Sequence, residues 1–160
     1  DSNGLAALVE GRRKAFVVKH HDEDEGQWAW DGALMDALLS EHVLQGWLEG
    51  YTLTGRHGVL VSYESFLPVV SSMVGQHAKW LLTSKGVPWR NRLPPLTLVA
   101  SSYAWRQLNH FSHQQPAFLD HLLTLPRELV RIYVPPDSES LLRCMATALS
   151  SWHCINYVIT

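Results

Sequence analysis

The hydrophobic pattern of this chain alternates between short apolar runs and longer stretches with helical spacing. The short runs predict strands at residues 34–39, 58–63, 96–101, 130–134 and 155–160. Several of these runs are almost continuously apolar, which is typical of strands that are covered on both faces. Between them, apolar residues recur every three or four positions and predict helices over 42–54, 65–82 and 138–150. Strands that alternate with helices in this way favour an α/β fold, with a mostly parallel sheet and helices on both faces.

Residues that directly follow the predicted strands are the first candidates for chemistry, because α/β sheets bind ligands beyond the carboxyl ends of their strands. Glu41 follows the predicted strand 34–39 and begins the next predicted helix. A glutamate there can also serve only to stabilise the positive end of the helix dipole, and the pattern leaves both interpretations open. Residues 105–114 follow the strand 96–101 and include two histidines, two glutamines, an asparagine and an arginine. Such a dense polar segment suits a hydroxylated or phosphorylated small ligand, and an ordinary polar loop is the alternative.

Two further stretches interrupt the alternating pattern. Residues 19–25 read Lys-His-His-Asp-Glu-Asp-Glu, and histidine and carboxylate groups are common metal ligands. Consecutive residues cannot all converge on one ion, however, and no second ligand set follows at a fixed spacing. We therefore favour a solvated loop over a metal site and assign no metal ligands. Residues 83–95 contain Pro88, Pro94 and Pro95, which predicts a surface connection.

Composition and charge narrow the class of protein. The 160 residues suit one domain, and 46% hydrophobic against 18% charged residues excludes a disordered chain. A net charge of -2 argues against a dedicated nucleic-acid binder, and no apolar run is long enough to cross a bilayer. Cys144 and Cys154 form no disulfide framework, so we expect a cytoplasmic protein. The chain starts at Asp1 and stops at Thr160 inside a predicted strand, and we expect residues 1–160 to form a single domain from a longer polypeptide.

Motifs along nearly the whole chain, in the same order, closely resemble those of the phosphoketolases. The matching segments are Leu-Ser-Glu-His at 39–42, Gln-Gly-Trp-Leu-Glu-Gly-Tyr at 45–51, Thr-Gly-Arg-His-Gly at 54–58, Tyr-Glu-Ser-Phe at 63–66, Gln-His-Ala-Lys-Trp at 76–80, Pro-Trp-Arg at 88–90, Phe-Ser-His-Gln at 111–114 and Arg-Ile-Tyr-Val-Pro-Pro-Asp at 131–137. A resemblance of this extent is far more specific than any single motif.

The resemblance implies a function that the hydrophobic pattern does not reveal. Phosphoketolases use thiamine diphosphate to cleave xylulose 5-phosphate or fructose 6-phosphate with inorganic phosphate, which yields acetyl phosphate and an aldose phosphate. The chain looks like their middle domain, which binds the pyrimidine ring of the cofactor. In the family, the diphosphate-binding domain, which holds a magnesium or calcium ion, lies N-terminal to this domain, so we expect it outside these residues. The family's active site forms between subunits, so the resemblance implies a homodimer or a higher oligomer, with no nucleic-acid or membrane partner.

The resemblance also assigns roles on the cofactor side of the site. Glu41 matches the family's glutamate that hydrogen-bonds a pyrimidine nitrogen and thereby helps to activate the thiazolium carbon. Tyr63 and Phe66 match aromatic residues that line the pyrimidine pocket, and ordinary core packing is the alternative for both.

On the substrate side, the resemblance assigns proton transfer to His113, which matches a histidine that faces the substrate. The remaining substrate-side residues that it implies are Gln107, Asn109, His110 and Ser2.

Two departures from the family pattern fall on the substrate side. Gly4 stands where phosphoketolases usually have an arginine that grips phosphate, and the segment 106–113 is one residue shorter than in the family. These departures keep open a divergent, non-catalytic binding or regulatory subunit as the alternative function. A transketolase-like reaction ranks lower, because the segments 45–51 and 111–114 resemble phosphoketolases in particular.

Overall fold

A central parallel sheet organises the chain in the computed structural model, which describes residues 6–17, 28–101 and 116–160. Its four strands are β3 (Val59–Tyr63), β4 (Leu96–Ser101), β5 (Val130–Tyr133) and β6 (Ile155–Ile159), in the spatial order β3-β4-β6-β5. All neighbouring strands in this sheet are parallel. The prediction of an α/β fold with a parallel sheet is therefore confirmed, and the fold is consistent with a pyrimidine-binding-type domain.

Most of the described helices pack on one face of the sheet. They are α2 (Glu41–Leu53), a 3₁₀ helix (Glu64–Val70), α3 (Ser71–Lys85) and α4 (Ala117–Leu123). Together with the strands they enclose the hydrophobic core, which includes Leu67, Leu81, Leu98, Phe118 and Tyr157. The central strands β4 and β6 are buried almost throughout, whereas the edge strand β3 alternates between buried and exposed residues. Continuous apolar runs thus correspond to the two strands with neighbours on both sides.

Helix α5 (Ser138–Leu149) lies against the opposite face of the sheet, because side chains that alternate with the core positions of β6 point towards it. Asn156 is fully buried there, and its Nδ2 donates to the carbonyl of Ala148 at 2.9 Å and to Ser151 Oγ at 3.0 Å. These hydrogen bonds attach the end of α5 to the middle of the sheet. The predicted arrangement of helices on both faces is thus confirmed.

The prediction of a strand over 34–39 is wrong in its length, and the strand found there does not belong to the main sheet. The strand β2 (Leu34–Met35) pairs with the short strand β1 (Lys14–Phe16) in a separate two-stranded sheet, near a short helix α1 (Ala6–Val9). Leu38 and Leu39 are exposed and lie outside any strand. An apolar run alone does not form a strand where no neighbouring strand is available to hydrogen-bond with it.

The predicted helix 65–82 is also corrected, since it begins as a 3₁₀ helix and becomes α-helical at Ser71. Pro68 lies inside the 3₁₀ segment and has no backbone N–H, which disfavours regular α-helical hydrogen bonding there. The α-helix continues to Lys85, so the predicted connection 83–95 starts later than expected. The last residues of this connection, from Leu93 to Pro95, are buried.

Helix α4 was not predicted from the sequence. No helix in the described part of the chain has the length and apolar character needed to span a membrane.

Candidate active site

Glu41 lies beside the carboxyl end of strand β3, where a ligand of a parallel sheet is expected. The hydroxyl of Ser62, the next-to-last residue of β3, donates to Glu41 Oε1 at 3.1 Å. This hydrogen bond joins the Glu41 carboxylate to the main sheet. Glu41 therefore adjoins a strand of the main sheet, although not the strand 34–39 that its position in the sequence suggested.

The sequence before Glu41 sets the start of helix α2. Ser40 has an extended backbone and its side chain accepts a hydrogen bond from the Val43 N–H at 3.4 Å, which makes it the N-cap. Glu41 is then the acidic residue of the first turn. The two interpretations of Glu41 are thus compatible, because the helix start places its carboxylate at the end of β3.

Tyr63 and Phe66 form an aromatic pair that directly follows Ser62 in the chain. Tyr63 ends β3 and Phe66 lies one turn later in the 3₁₀ helix, and their rings meet edge to face with 5.8 Å between centroids. Tyr63 is half-buried, whereas Phe66 is 43% exposed and its neighbour Leu67 is fully buried in the core. Core packing therefore explains Leu67 but not Phe66, whose exposed ring is available to a ligand.

Buried polar side chains behind Glu41 are part of the site that the sequence interpretation missed. Gln45 and Glu49 follow Glu41 at intervals of four on α2, and Gln45 Nε2 donates to Glu49 Oε1 at 2.7 Å. Both side chains are buried, and burial raises the pKa of the Glu49 carboxyl group. The repeated Glu-Gln-Glu spacing of four residues was the available signal, since it places all three groups on one face of the helix.

A second buried group connects the core with the end of β3. Glu64 is buried directly after β3, and Tyr157 is fully buried in the central strand β6. Burial, and then the charge of Glu64, raise the pKa of the Tyr157 hydroxyl, so this phenol stays protonated. Two acidic residues, Glu41 and Glu64, thus lie at the carboxyl end of β3.

The substrate-side residues proposed from the sequence lie outside the described residues. They are His113, Gln107, Asn109, His110 and Ser2. The same holds for Gly4 and for the acidic and histidine-rich stretch 19–25, so these assignments stay predictions. Within the ranges that the structure describes, no group of three or more His, Cys, Asp or Glu side chains converges as a metal site.

A wide apolar groove of about 610 Å³ lies on the outer side of α2, away from Glu41. Its walls are formed by Met35, Gly46, Trp47, Leu48, Gly50, Tyr51, Thr54 and Arg56. Glu41, Tyr63 and Phe66 do not line this groove.

Comparison with known proteins gives the family of the chain. The family model described as D-xylulose 5-phosphate/D-fructose 6-phosphate phosphoketolase matches residues 1–151. A protein of Nitrosomonas europaea named "Probable phosphoketolase" is 45% identical over 159 residues, which are 99% of this chain and 20% of that protein. Proteins of the same name from Clostridium acetobutylicum and Synechocystis sp. are 41% and 45% identical, again over 99% of this chain and 20% of their own length. This chain therefore spans about a fifth of the length of these relatives, and it belongs to the D-xylulose 5-phosphate/D-fructose 6-phosphate phosphoketolase family.

Proposed function

We propose that this chain is the pyrimidine-binding domain of a thiamine-diphosphate-dependent phosphoketolase. Its reaction would cleave xylulose 5-phosphate or fructose 6-phosphate with inorganic phosphate, to give acetyl phosphate and an aldose phosphate. The observation that carries the proposal is the Glu41 carboxylate, which Ser62 holds at the carboxyl end of β3, the strand that leads directly into the segment with the exposed Phe66 ring. Membership of the phosphoketolase family supports the choice of reaction.

The described residues fit the pyrimidine ring of the proposed cofactor. A planar, nitrogen-containing ring needs an apolar surface for its face and a polar partner at its edge. Phe66 offers the exposed ring, and stacking of this kind contributes about 0.5–1.5 kcal/mol beyond burial. Glu41 offers the polar partner, because one of its carboxylate oxygens is already fixed by Ser62.

Each of these side chains has a distinct part in the proposed mechanism. The bound cofactor supplies the carbanion chemistry that breaks the carbon–carbon bond. Glu41 holds or donates a proton at a pyrimidine ring nitrogen, and Ser62 fixes the orientation in which it does so. Tyr63 supports the Phe66 ring from the edge, which keeps the apolar wall in place when no ligand is bound.

The other elements of the proposal concern parts of the enzyme beyond the described residues. We propose His113 for proton transfer to the substrate and intermediates, and a homodimer or higher oligomer as the active form. Gln107, Asn109, His110 and Ser2 are proposed to bind substrate, and a magnesium or calcium ion is proposed to bind in the diphosphate domain. The free cysteines Cys144 and Cys154 support a reducing, cytoplasmic location.

A divergent binding or regulatory subunit is the second candidate function. It is favoured by Gly4, because loss of the arginine that phosphoketolases usually have there removes a charge-assisted contact to phosphate.

An assay of acetyl phosphate formation distinguishes the two candidate functions. The assay uses the longest natural polypeptide that contains these residues, with xylulose 5-phosphate, phosphate, thiamine diphosphate and magnesium. Product supports the enzyme, whereas a folded protein without product supports the divergent subunit.

The Glu41→Gln variant tests the role of the carboxylate in the same assay. We expect at least about a hundredfold loss of turnover with little change in Tm, because glutamine keeps the shape and the Ser62 contact but holds no proton to transfer. Glu139→Gln is the matched control, since Glu139 is also a first-turn glutamate of a helix but is exposed on α5. Equal turnover of the Glu41→Gln variant and the unmodified protein would contradict the proposed role.

A further inference from the structure

Basic side chains gather at the amino ends of the sheet strands, on the opposite edge from Glu41. Arg56 precedes β3, Lys85, Arg90 and Arg92 precede β4, and His153 precedes β6. Because β3, β4 and β6 are parallel neighbours, the segments before them meet at one edge. We call the side chains of Arg56, Lys85, Arg90 and Arg92 the basic edge.

The basic edge is not neutralised by nearby carboxylates in the described part of the chain. The two ion pairs found there are Lys14–Asp36 and Arg143–Glu139, and neither involves the basic edge. Burial lowers the pKa of His153, and the positive charges of Lys85 and Arg92 lower it further, so these groups share one positive region.

The charges of the molecule are therefore separated along the strand direction. The carboxyl edge of the sheet carries Glu41, Glu64 and the helix-capping Asp137. The basic edge carries a local excess of positive charge, although the whole chain has a net charge of -2. Such a separation directs anions to the basic edge.

A polar pocket of about 240 Å³ lies within the basic edge. Its lining residues are Leu53, Thr54, Gly55, Trp89, Arg90, Asn91, Arg92 and Leu93. The lining residues thus include two arginines, an asparagine and a tryptophan, and Trp89 is 81% exposed.

The two arginines of this pocket are held in place by contacts that leave part of each guanidinium group available. Arg90 Nη2 donates to the carbonyl of Leu53 at 3.0 Å, at the C-terminus of α2. The Arg92 guanidinium lies over the Trp152 ring, 5.7 Å from its centroid. A guanidinium group has five N–H donors, so these contacts orient the groups without using their full capacity. Fixed guanidinium groups bind tetrahedral oxyanions more tightly than flexible ammonium groups do.

We propose that the pocket formed by Arg90, Asn91 and Arg92 binds the phosphoryl group of a small phosphorylated ligand, at a site separate from Glu41. The paired guanidinium groups would hold the phosphoryl oxygens, and Lys85 would add a longer-range attraction. The volume suits a phosphoryl group and a few attached atoms rather than a large ligand. This binding site does not depend on the proposed catalytic function.

Isothermal titration of the longest natural polypeptide with inorganic pyrophosphate tests the proposal. The titration is run with one equivalent of thiamine diphosphate, which occupies a cofactor site without an excess that would compete at the basic edge, and chloride keeps the ionic strength constant. We expect Arg92→Gln to weaken a binding event at least about tenfold, because it removes a charge-assisted contact. Arg143→Gln is the matched control, since Arg143 is exposed and pairs with Glu139 on α5, and we expect unchanged affinity.

A second variant keeps the test decisive if Arg92→Gln fails to fold. Lys85→Gln removes an exposed charge near His153, and we expect it to weaken the same binding event by a smaller factor. Absence of pyrophosphate binding, or equal affinity in the unmodified protein and in the folded basic-edge variants, would overturn the proposal. The same loss in Arg143→Gln would also overturn it, because it would indicate general attraction to positive charge. Acetyl phosphate formation is measured separately, so failure of the catalytic proposal leaves this result interpretable.

Discussion

At the scale of single residues, burial rather than residue type determines which polar groups have a shifted pKa. His77 illustrates this, since it lies in α3 with only 1% of its surface exposed, and neither ring nitrogen has a hydrogen-bond partner among the residues that the structure describes. Its ring packs edge to face on Trp80, with 5.8 Å between centroids. Burial lowers the pKa of His77 to about 4, so the ring is neutral in the folded protein near neutral pH. The sequence motif at 76–80 contains this histidine but does not predict that its side chain is buried.

His77 should make the stability of the protein depend on pH between about 4 and 6.5. In that range the unfolded chain binds a proton that the folded chain does not, so stability rises with pH and is complete above the unfolded value. The shift corresponds to at most about 3 kcal/mol. We expect His77→Leu to flatten this dependence, as measured by urea unfolding at about pH 5 and about pH 7.5.

The control for this prediction is His42→Leu, because His42 is exposed near the start of α2. The unmodified protein and the control should lose similar stability on acidification, while the His77 variant loses less. If the His77 variant keeps the full pH dependence, the buried neutral histidine is not its source.

At the scale of elements, the 3₁₀ helix Glu64–Val70 combines a core face and a site face. Leu67 and Val70 are fully buried, whereas Phe66 is 43% exposed beside Tyr63. Pro68 keeps the segment from continuing as a regular α-helix. In this 3₁₀ helix the adjacent residues Phe66 and Leu67 therefore face the surface and the core, respectively. The helix directly follows β3, the strand that adjoins Glu41.

Substitution of adjacent residues should separate these two faces. We expect Phe66→Ala to raise the KM for thiamine diphosphate several-fold with a small change in stability, because an exposed ring contributes little to the core. Leu67→Ala should cost about 2–5 kcal/mol of unfolding free energy, because it leaves a cavity in the core. Cofactor titrations and urea unfolding of both variants provide the measurements. An unchanged KM in the Phe66 variant would remove its proposed contact with the cofactor.

At the scale of the whole molecule, the two faces of the sheet are held by different forces. Apolar packing holds α2, α3 and α4 on one face. On the other face, a buried polar network joins Asn156 to the end of α5 and includes Ser151, Cys154 and Thr97. Such a network specifies one position for the helix, because a shifted helix would leave buried polar groups without partners.

Asn156→Ala should therefore weaken the attachment of α5. We expect a loss of about 2–4 kcal/mol in the unfolding free energy, because the Ala148 carbonyl and the Ser151 hydroxyl lose a buried donor. Thr147→Ala is the control, since its hydroxyl donates to the Arg143 carbonyl at an exposed position of the same helix. We expect that change to cost less than about 0.5 kcal/mol. Similar losses in the two variants would show that the buried network has no special role.

The sequence by itself determined the elements whose signals are local. The apolar runs at 96–101 and 155–160 matched the buried central strands, and the apolar spacing over 138–150 matched helix α5. The motifs determined the family, since a resemblance that runs through most of the chain does not depend on the fold being known. These features depend on neighbouring residues or on ordered matches, and both can be read along the chain.

Only the tertiary structure decided which segments meet. The run 34–39 has the composition of a strand, but strand formation also depends on a partner elsewhere in the chain. The strand β2 pairs with β1 and not with the main sheet. The same reason explains why Glu41 adjoins Ser62, 21 positions later, rather than the strand before it. Arg56 lies 34 positions before Arg90, and the parallel order of β3 and β4 brings the segments that precede these strands to one edge. Local pattern thus specifies the elements, whereas the contact of Glu41 with Ser62 and that of Arg90 with Leu53 arise from long-range packing.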